Sequence, residues 1–533
     1  MQQIEIPPLD VWDCLFERRE KPFPDDHIIF KSPSGEVRTY SDIRSQALSF
    51  GANLQSQWGW RKGDILLVFA PNDIDIPTLF WGCHWAGGVV SPVNPTYTAD
   101  DLKYQLSDTG AKSLVVHTSL LDTAIAAAKR VNFPVAHMLV VGPDSPEAEL
   151  QHVESMLGGG APGTTRPKID AAVDVAFLVY SSGTTGRPKG AKITHTNLVA
   201  QLIIQGHVDG AHINWRHDRF LAFLPTYHIF ETTVLEKFSV KSFLHNIQTE
   251  SITHIYVAPP VVLYLAKDPA MTREQLSSLR MVTSGGAPLA PDLIRAVYDR
   301  LKIPVRQGFG LTESTAASHM QRWGRWDQAL GSSGPPFPQV ETKFIDEQGN
   351  PVSKGEGELC LRGPTIFPGY QNNPDATAQS ITPDGWFKTG DIGFEDEEGN
   401  LFITDRLKDL IKFKGFQIHP TEIESILHEH PLVHDAAVIG LVVQKIASEV
   451  PVAYVVLGKT DKPTKQVAEE LVAHVDGKLA PHKRLRGGII PIGEIPKSAS
   501  GKILKRTLKA RAEGVDQGKA IGATIYEDRS SKL

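Results

Sequence analysis

One run of eleven residues has the types and spacing to hold a phosphate: Tyr180-Ser181-Ser182-Gly183-Thr184-Thr185-Gly186-Arg187-Pro188-Lys189-Gly190. Glycines let a backbone approach an anion, serine and threonine add hydroxyl donors, and Lys189 adds a full positive charge. The pattern Gly183-x-x-Gly186-x-x-Lys189 is not the GxxxxGK[ST] of a Walker A loop, which points to a nucleotide enzyme of another kind. The apolar run Val175-Ala176-Phe177-Leu178-Val179 before it reads as a buried strand, and Thr194-His195-Thr196-Asn197-Leu198 after it reads as a helix start. The expected layout is therefore strand, loop, helix, with the anion at the helix end. The same composition also suits a plain connector, so the rest of the chain has to decide.

The chain is 533 residues long, enough for several cores, and 55 basic against 61 acidic residues leave a net charge of −6. Nothing in that balance suggests a nucleic-acid surface. Cys14, Cys83 and Cys360 are scattered. They suit a reducing compartment and form no metal-ligand pattern. No apolar run reaches membrane-spanning length, and Met1-Gln2-Gln3-Ile4-Glu5 has no signal-peptide character. The last three residues, Ser531-Lys532-Leu533, form a peroxisomal address read by an import receptor. The polar tail before them, from about Gly514, is expected to be mobile.

The elements that must position the loop follow an α/β rhythm. Ile65-Leu66-Leu67-Val68-Phe69, Leu114-Val115-Val116 and Leu139-Val140-Val141 read as strands. A helical pattern carrying Ile43, Ala47, Leu48 and Leu54 follows a cap expected at Ser41. Such alternation predicts parallel α/β layers. The GxGxxG formed by Gly158 to Gly163 is no dinucleotide fingerprint, because Pro162 sits inside it and Pro167 follows where a helix should begin. From about Pro335 to Phe402, short strand-like pieces such as Glu358-Leu359-Cys360-Leu361 between Gly, Pro and Asn turns predict a β-rich unit. Beyond Lys408 an α+β pattern begins. Pro420 opens a helix, Ala437-Val438-Ile439 and Val452-Ala453-Tyr454-Val455-Val456 read as strands, and Val467, Leu471, Val472 and Val475 mark one face of a second helix.

Further segments join the loop in a fixed order. They are Ser284-Gly285-Gly286-Ala287-Pro288-Leu289, Gln307-Gly308-Phe309-Gly310-Leu311-Thr312-Glu313-Ser314 and Gly385-Trp386-Phe387-Lys388-Thr389-Gly390-Asp391. Asp405-Arg406-Leu407-Lys408-Asp409-Leu410-Ile411-Lys412, Gly415-Phe416-Gln417 and Pro496-Lys497-Ser498-Ala499-Ser500-Gly501-Lys502 complete the set. Together, over about residues 30 to 510, they resemble the adenylate-forming superfamily, with the 4-coumarate-like CoA-ligase branch nearest. The resemblance implies an α/β fold: a large N-terminal domain (1–404) of layered parallel α/β subdomains with a small β-barrel-like unit, a hinge (405–408), and a small mobile α+β lid domain (409–513). Residues 514–533 form the tail.

The resemblance also implies a two-step reaction, in which a carboxylate attacks the α-phosphorus of ATP and a thiol, usually coenzyme A, then displaces AMP. Ser181, Ser182, Gly183, Thr184, Thr185, Gly186 and Lys189 would hold the β- and γ-phosphates. Glu313 matches the Mg²⁺ ligand, and Thr312 would donate to the α-phosphate. Phe309, beside Gly310, would stack on adenine, whose edge would meet Gly285, Gly286 and Ala287. Asp391 would accept the ribose hydroxyls, with Arg406 near the ribose or α-phosphate. Lys502 matches the lysine that bridges carboxylate and α-phosphate. Lys408 matches the hinge. Lys412, Gly415 and Gln417 match the face used for thioester formation.

One segment breaks the pattern. Leu224-Pro225-Thr226-Tyr227-His228-Ile229-Phe230 matches the family segment whose histidine, here His228, gates the acyl pocket. In relatives an apolar helix follows; here Glu231-Thr232-Thr233-Val234-Leu235-Glu236-Lys237-Phe238 comes at once. A helix that lines the acyl pocket is expected to be missing. Three readings stay open: a peroxisomal acyl- or aryl-CoA ligase serving fatty-acid or specialised-metabolite pathways, a free-standing enzyme that loads acids onto a carrier protein, and a nucleotide-binding pseudoenzyme. No carrier domain follows residue 510, and no Asp near His228 serves an amino group. These residues do not separate a ligase from a luciferase-like oxygenase.

Overall fold

The computed structural model describes residues 4–18, 20–143, 150–159, 164–181, 187–221, 239–287, 289–414, 416–446, 448–458, 464–497 and 503–523. The chain divides into two compact units, residues 1–342 with 361–387, and residues 343–360 with 388–533. The residues after Phe230, where the pocket helix is expected to be missing, lie outside the described ones.

The first unit opens with α1 (Val11–Phe16) and a hairpin of β1 (Ile28–Lys31) and β2 (Val37–Thr39). The cap of α2 (Tyr40–Trp58) is Thr39, not Ser41. Thr39 Oγ1 accepts from the Asp42 amide, and the Asp42 carboxylate accepts from the Thr39 amide. This reciprocal box satisfies two amide donors that a cap at Ser41 would leave open.

A seven-stranded sheet follows: β3 (Ile65–Phe69), β4 (Val89–Val93), β5 (Ser113–His117), β6 (Met138–Val141), β7 (Gln151–His152), β8 (Val175–Ser181) and β9 (Lys189–Thr194). Its order is β7-β6-β5-β3-β4-β8-β9. All neighbours are parallel except β8 and β9. Its connections include α3 (Ile76–Trp85), α4 (Ala99–Thr109) and α5 (Leu121–Arg130). Leu66, Leu67, Val90, Leu114, Val115 and Leu139 are all buried. Burial of successive residues marks a parallel sheet covered on both faces. The expected strand-loop-helix layout is corrected here. The phosphate-type loop connects an antiparallel pair, with Ser181 opposite Lys189, and β9 separates it from α6 (His195–Asp209). Gly190, Ala191, Ile193 and Thr194 are buried, so the chain runs on in the sheet before it can turn into a helix. Thr194 caps that helix by accepting from the Asn197 amide.

The second sheet of this unit carries β10 (Phe220–Leu221), β11 (His254–Val257), β12 (Met281–Ser284), β13 (Val305–Leu311) and β14 (Ala316–Met320) in sequential order. The first four are parallel, and β14 returns antiparallel to β13. Helices α7 (Val240–Glu250), α8 (Pro259–Lys267) and α9 (Pro291–Leu301) accompany it, and α10 (Pro374–Ser380) lies further along the same unit. Ile294, Val297 and Leu301 of α9 are buried at one-face spacing with Val282 and Val305.

Arg306 of β13 takes part in a buried ion pair. Arg306 makes two bonds to the Asp209 carboxylate, of 2.8 and 3.1 Å, and its Nε donates to Thr283 Oγ1. The guanidinium lies 4.6 Å from the Trp323 ring, and Trp323 Nε1 donates to Asp209. Burial alone would raise the Asp209 pKa; the Arg306 bonds and charge outweigh it and hold the group below its ordinary value.

A four-stranded sheet, most of it in the second unit, runs β15 (Glu341–Ile345), β16 (Gly357–Arg362), β17 (Phe387–Glu395) and β18 (Leu401–Arg406) in that order. A hairpin follows, β19 (Ile411–Phe413) with β20 (Phe416–Ile418), and then α11 (Pro420–His428). The long ribbon β21 (Val433–Val443) and β22 (Ser448–Leu457) pairs with β23 (Ile489–Pro491). Helix α12 (Thr464–Lys478) packs Val467, Leu471 and Val475 into this core, and α13 (Lys505–Glu513) covers its other side through Leu508. No described helix is long and apolar enough to cross a membrane.

Asp209→Ala leaves the Arg306 charge buried and unpaired, and should cost about 3–5 kcal/mol; a denaturant titration should show the loss, and an Asp209→Leu/Arg306→Met double variant should recover most of it. Burial also lowers the His84 and His319 pKa values to about 3 and that of His195 to about 4. All three are neutral in the fold and take up protons on unfolding below about 6.5. Their contribution is complete above pH 6.5 and is lost as pH falls toward about 4, at up to about 1.4 kcal/mol per pH unit for each histidine. Unfolding titrations between pH 7.5 and 4.5 should show this slope, and His84→Gln should flatten it by one proton.

Candidate active site

In the first unit the site residues gather on the ends of strands. Gly285, Gly286 and Ala287 follow β12, and the Gly285 amide donates to Val257 O at 3.0 Å. Gly286 has φ +84°, and a Cβ there would meet nothing within 4 Å. Its glycine is required by backbone conformation, and its face is open. The carboxyl end of a parallel strand is where open α/β sheets place ligands.

Phe309 and Gly310 lie at the end of β13. Gly310 admits no side chain, because a Cβ would stand 1.9 Å from Ala316 O. Thr315 and Ala316 take positive φ values of 52° and 76° in the turn that follows Glu313. Such conformations are uncommon for residues with a Cβ and need support from their surroundings. Ser314 Oγ supplies it by accepting from the Leu311 amide, and Thr315 Oγ1 donates to Thr365 O at 2.7 Å. Phe309 meets His319 edge to face at 6.1 Å, with its ring half-buried. Thr312 is half-buried at the start of the turn.

Glu313 is buried, and its Oε1 accepts from Tyr370 Oη at 2.9 Å. Its backbone oxygen accepts from the Phe367 amide. Lys189 Nζ lies 5.1 Å from the Tyr370 ring centroid, a cation–π contact. Tyr370 therefore touches the loop cation and the acidic residue at once. Burial, and then the neighbouring Glu313 charge, push the Tyr370 pKa far up, so its proton stays on the phenol and is donated to the carboxylate. Sequence reasoning missed Tyr370. Its only signal is an aromatic residue set among turn formers, Pro368-Gly369-Tyr370-Gln371-Asn372-Asn373. A single carboxylate held in this way fits Mg²⁺, which takes one or two carboxylates and fills its other positions with phosphate oxygens and water.

In the second unit, Asp391 on β17 faces Arg406 on β18 across the antiparallel pair. Arg406 Nε donates to Asp391 Oδ1 at 2.9 Å. Asp391 is buried, while the Arg406 side chain is 30% exposed. Lys408 is exposed in the turn after β18. Thr421, at the start of α11, donates its hydroxyl to Thr404 O at 2.5 Å and its amide to Asp405 Oδ2 at 3.2 Å. Lys412 and Gln417 are paired across the β19–β20 hairpin and both are exposed, which puts them on one face.

Lys502, His228 and Gly415 lie outside the described residues, as do Ser182, Gly183, Thr184, Thr185 and Gly186. Both flanks of the Lys502 segment are fixed. Lys497 pairs with Ile503 through a β-bridge, and Lys497 Nζ donates to Asp435 at 2.6 Å. Lys505 forms a buried ion pair with Glu424 at 3.2 Å. Among the described residues, no three His, Cys, Asp or Glu side chains group as a metal cage.

This arrangement can be set beside known proteins. The model for AMP-binding enzymes matches residues 16–371, and that for the AMP-binding enzyme C-terminal domain matches residues 422–502. The chain belongs to the AMP-binding enzyme family. Curated relatives include 4-coumarate–CoA ligase 4 of Arabidopsis thaliana, 34% identical with 91% of this chain and 88% of that one covered. The 4-coumarate–CoA ligase of Vanilla planifolia is 33% identical, with 94% and 93% covered. Among solved structures, ATP-bound MatB from Rhodopseudomonas palustris has a TM-score of 0.83 at 27% identity, covering 95% of this chain and 99% of that one. The anthranilate CoA ligase AuaEII in complex with anthranoyl-AMP also has a TM-score of 0.83, at 25% identity, covering 96% and 98%. These likenesses put the AMP-binding chain in the acyl-CoA synthetase branch, whose members are AMP-forming acid–thiol ligases.

The Tyr370–Glu313 bond gives a test of whether Glu313 serves Mg²⁺. Tyr370→Phe removes the proton that holds Oε1, a bond to a charged group worth about 1.5–3 kcal/mol. The Mg²⁺ concentration for half-maximal AMP release should rise about tenfold or more, with the KM for the acid unchanged. A magnesium titration at saturating ATP measures it.

Proposed function

We propose that this acid–thiol ligase activates an acyl or aryl carboxylate with ATP and passes the acyl group to coenzyme A. In the first step a carboxylate oxygen bonds to the α-phosphorus and the bond to the β-phosphate oxygen breaks, so pyrophosphate leaves. In the second the thiol sulfur bonds to the acyl carbon and AMP leaves. The observation that carries this reading is the contact of Tyr370 with both Lys189 and Glu313, a cation and a carboxylate suited to the triphosphate and its counter-ion.

The residue roles follow from charge. A carboxylate and a triphosphate repel each other, so cations and amide donors must hold them together and stabilise the charge of the transition state. Lys189 and the hydroxyls of Ser181, Ser182, Thr184 and Thr185, with the Gly183 and Gly186 amides, take the terminal phosphates. Thr312 donates to the α-phosphate, and Lys502 bridges it to the acid. Phe309 offers its face to adenine, with Gly310 beside it, and Gly285, Gly286 and Ala287 its edge. Asp391 accepts the ribose hydroxyls, which releases Arg406 toward the phosphate. Glu313 would hold Mg²⁺, which neutralises phosphate charge when bound. His228 gates the acid pocket. Lys408 is the pivot that exchanges the Lys502 side of the lid (409–513) for the side bearing Lys412, Gly415 and Gln417.

Ser531-Lys532-Leu533 supports import into the peroxisome, where a ligase of this type would feed fatty-acid degradation or specialised-metabolite synthesis. The test is AMP release from ATP and Mg²⁺ with a panel of fatty and aryl acids, with and without coenzyme A. Acid-dependent release stimulated by coenzyme A is expected, with Lys502→Ala lowering the adenylation rate about 10²–10³-fold. ATP binding by a folded protein with no release from any acid would instead favour the pseudoenzyme reading.

A further inference from the structure

The phosphate-type loop is short of side chains that could hold it. Its described flanks both make contacts outside it. Tyr180 is the last residue before Ser181, and Arg187, Pro188 and Lys189 follow residues 182–186. Both flanks meet one face of α4. The Tyr180 hydroxyl donates to Asp108 Oδ2 at 2.5 Å. The Tyr104 hydroxyl donates to Pro188 O at 3.1 Å. The Arg187 guanidinium lies 5.1 Å from the Tyr104 ring, and the rings of Tyr104 and Tyr180 meet edge to face at 6.3 Å.

Tyr104 and Asp108 are one helical turn apart, so they stand on the same face of α4. The opposite face is anchored. Leu102, Gln105, Leu106 and Thr109 are buried, and Gln105 Nε2 donates to Ser91 Oγ and Pro92 O on β4. Both helix ends are also fixed, by the Thr98–Asp101 capping box and by Gly110 in the left-handed region. The helix therefore refers the two flanks to the frame of the parallel sheet. Two further contacts close the set. Asn372 Nδ2 donates to Asp108 O at 2.8 Å, which ties the clamp to the segment carrying Tyr370. The Tyr180 ring also fills the space above Gly190, where a Cβ would stand 3.0 Å from Tyr180 Cζ.

We propose that Tyr104 and Asp108 are positioning residues for ATP, a clamp on α4 that holds the upstream and downstream flanks of the phosphate loop at a fixed separation. The proposal rests on the reading of residues 181–189 as the phosphate site. An acid cannot serve an anionic ligand directly, so the part played by Asp108 is exerted through Tyr180. Tyr104 acts through Pro188 and Arg187. Holding donors ready before the ligand arrives removes ordering entropy from binding.

The test is ATP affinity, measured by calorimetric titration of the full chain with ATP and Mg²⁺, beside melting temperature. Tyr104→Leu removes ring and hydroxyl, Tyr104→Phe only the hydroxyl, Asp108→Ala the acceptor, and Asp108→Asn keeps an acceptor. Lys189→Ala reports on the loop itself. We expect Kd for ATP to rise about tenfold in Tyr104→Leu and Asp108→Ala and about threefold in Tyr104→Phe, with Asp108→Asn recovering most of the affinity. Lys189→Ala should raise it at least as much. Unchanged affinity in folded Tyr104→Leu and Asp108→Ala, with a large rise in Lys189→Ala, overturns the clamp alone. If Lys189→Ala leaves the affinity unchanged, the phosphate reading falls and the clamp with it. Should the two larger variants fail to fold, Tyr104→Phe decides: an affinity equal to the parent's overturns the proposal.

Discussion

The site depends on both edges of β9 being occupied. On one side β9 pairs with β8, which sets Ser181 opposite Lys189. On the other, the Gln371 amide donates to Gly190 O at 2.7 Å and the Lys192 amide donates to Gly369 O at 3.0 Å. An outer strand with a bare edge would invite other chains to pair with it. Here residues 369–371 cover that edge, and so bring Tyr370 over Lys189. Glu313 arrives from the other sheet of the same unit, through Phe367 and Tyr370. Three residues far apart in the chain meet because one backbone ladder is continued by three more residues.

Among the described residues, the two ion pairs Asp209–Arg306 and Glu424–Lys505 are enclosed together with further polar contacts. Arg306 and Asp209 are almost fully enclosed, and each has a second partner, Thr283 and Trp323. Lys505 follows the same rule: burial would lower its pKa, but the charges of Glu424, Asp405 and Asp409 outweigh this and raise it. Both pairs stand behind residues assigned to chemistry rather than among them. Arg306 lies three residues before Phe309, and Lys505 three after Lys502. A buried pair contributes little net stability, yet removing one partner is costly. Asp391 and Arg406 differ, since the arginine keeps contact with solvent.

Much of this was legible in the sequence, for reasons that differ by residue. The strands of the parallel sheet announce themselves as unbroken apolar runs, because both faces are covered. Pro420 and Thr194 mark helix starts by local chemistry alone. The cap of α2 is expected at Ser41 because its hydroxyl is as good a cap as that of Thr39, and only the Asp42 return bond separates them. The loop was placed against a helix because six residues of β9, with Gly190 and two lysines among them, lack the look of a strand. Tyr104 and Asp108 carry no local signal, and that of Tyr370 is only an aromatic set among turn formers. Their significance comes from pairing and packing across long sequence separations, which no period or motif records.

Thr421 bears on how fast a lid pivoting at Lys408 could turn. Its hydroxyl and amide reach back past Lys408 to Thr404 and Asp405, on the strand that ends just before it. A rotation at Lys408 that carried α11 away from β18 would have to break these bonds in each cycle and remake them on return. At roughly 1 kcal/mol apiece they are strong enough to make one orientation a resting place and weak enough to open within a turnover. Bonds of that strength would act on a lid turning there as a pawl acts on a ratchet, setting its dwell time and leaving the chemistry of either half-reaction untouched.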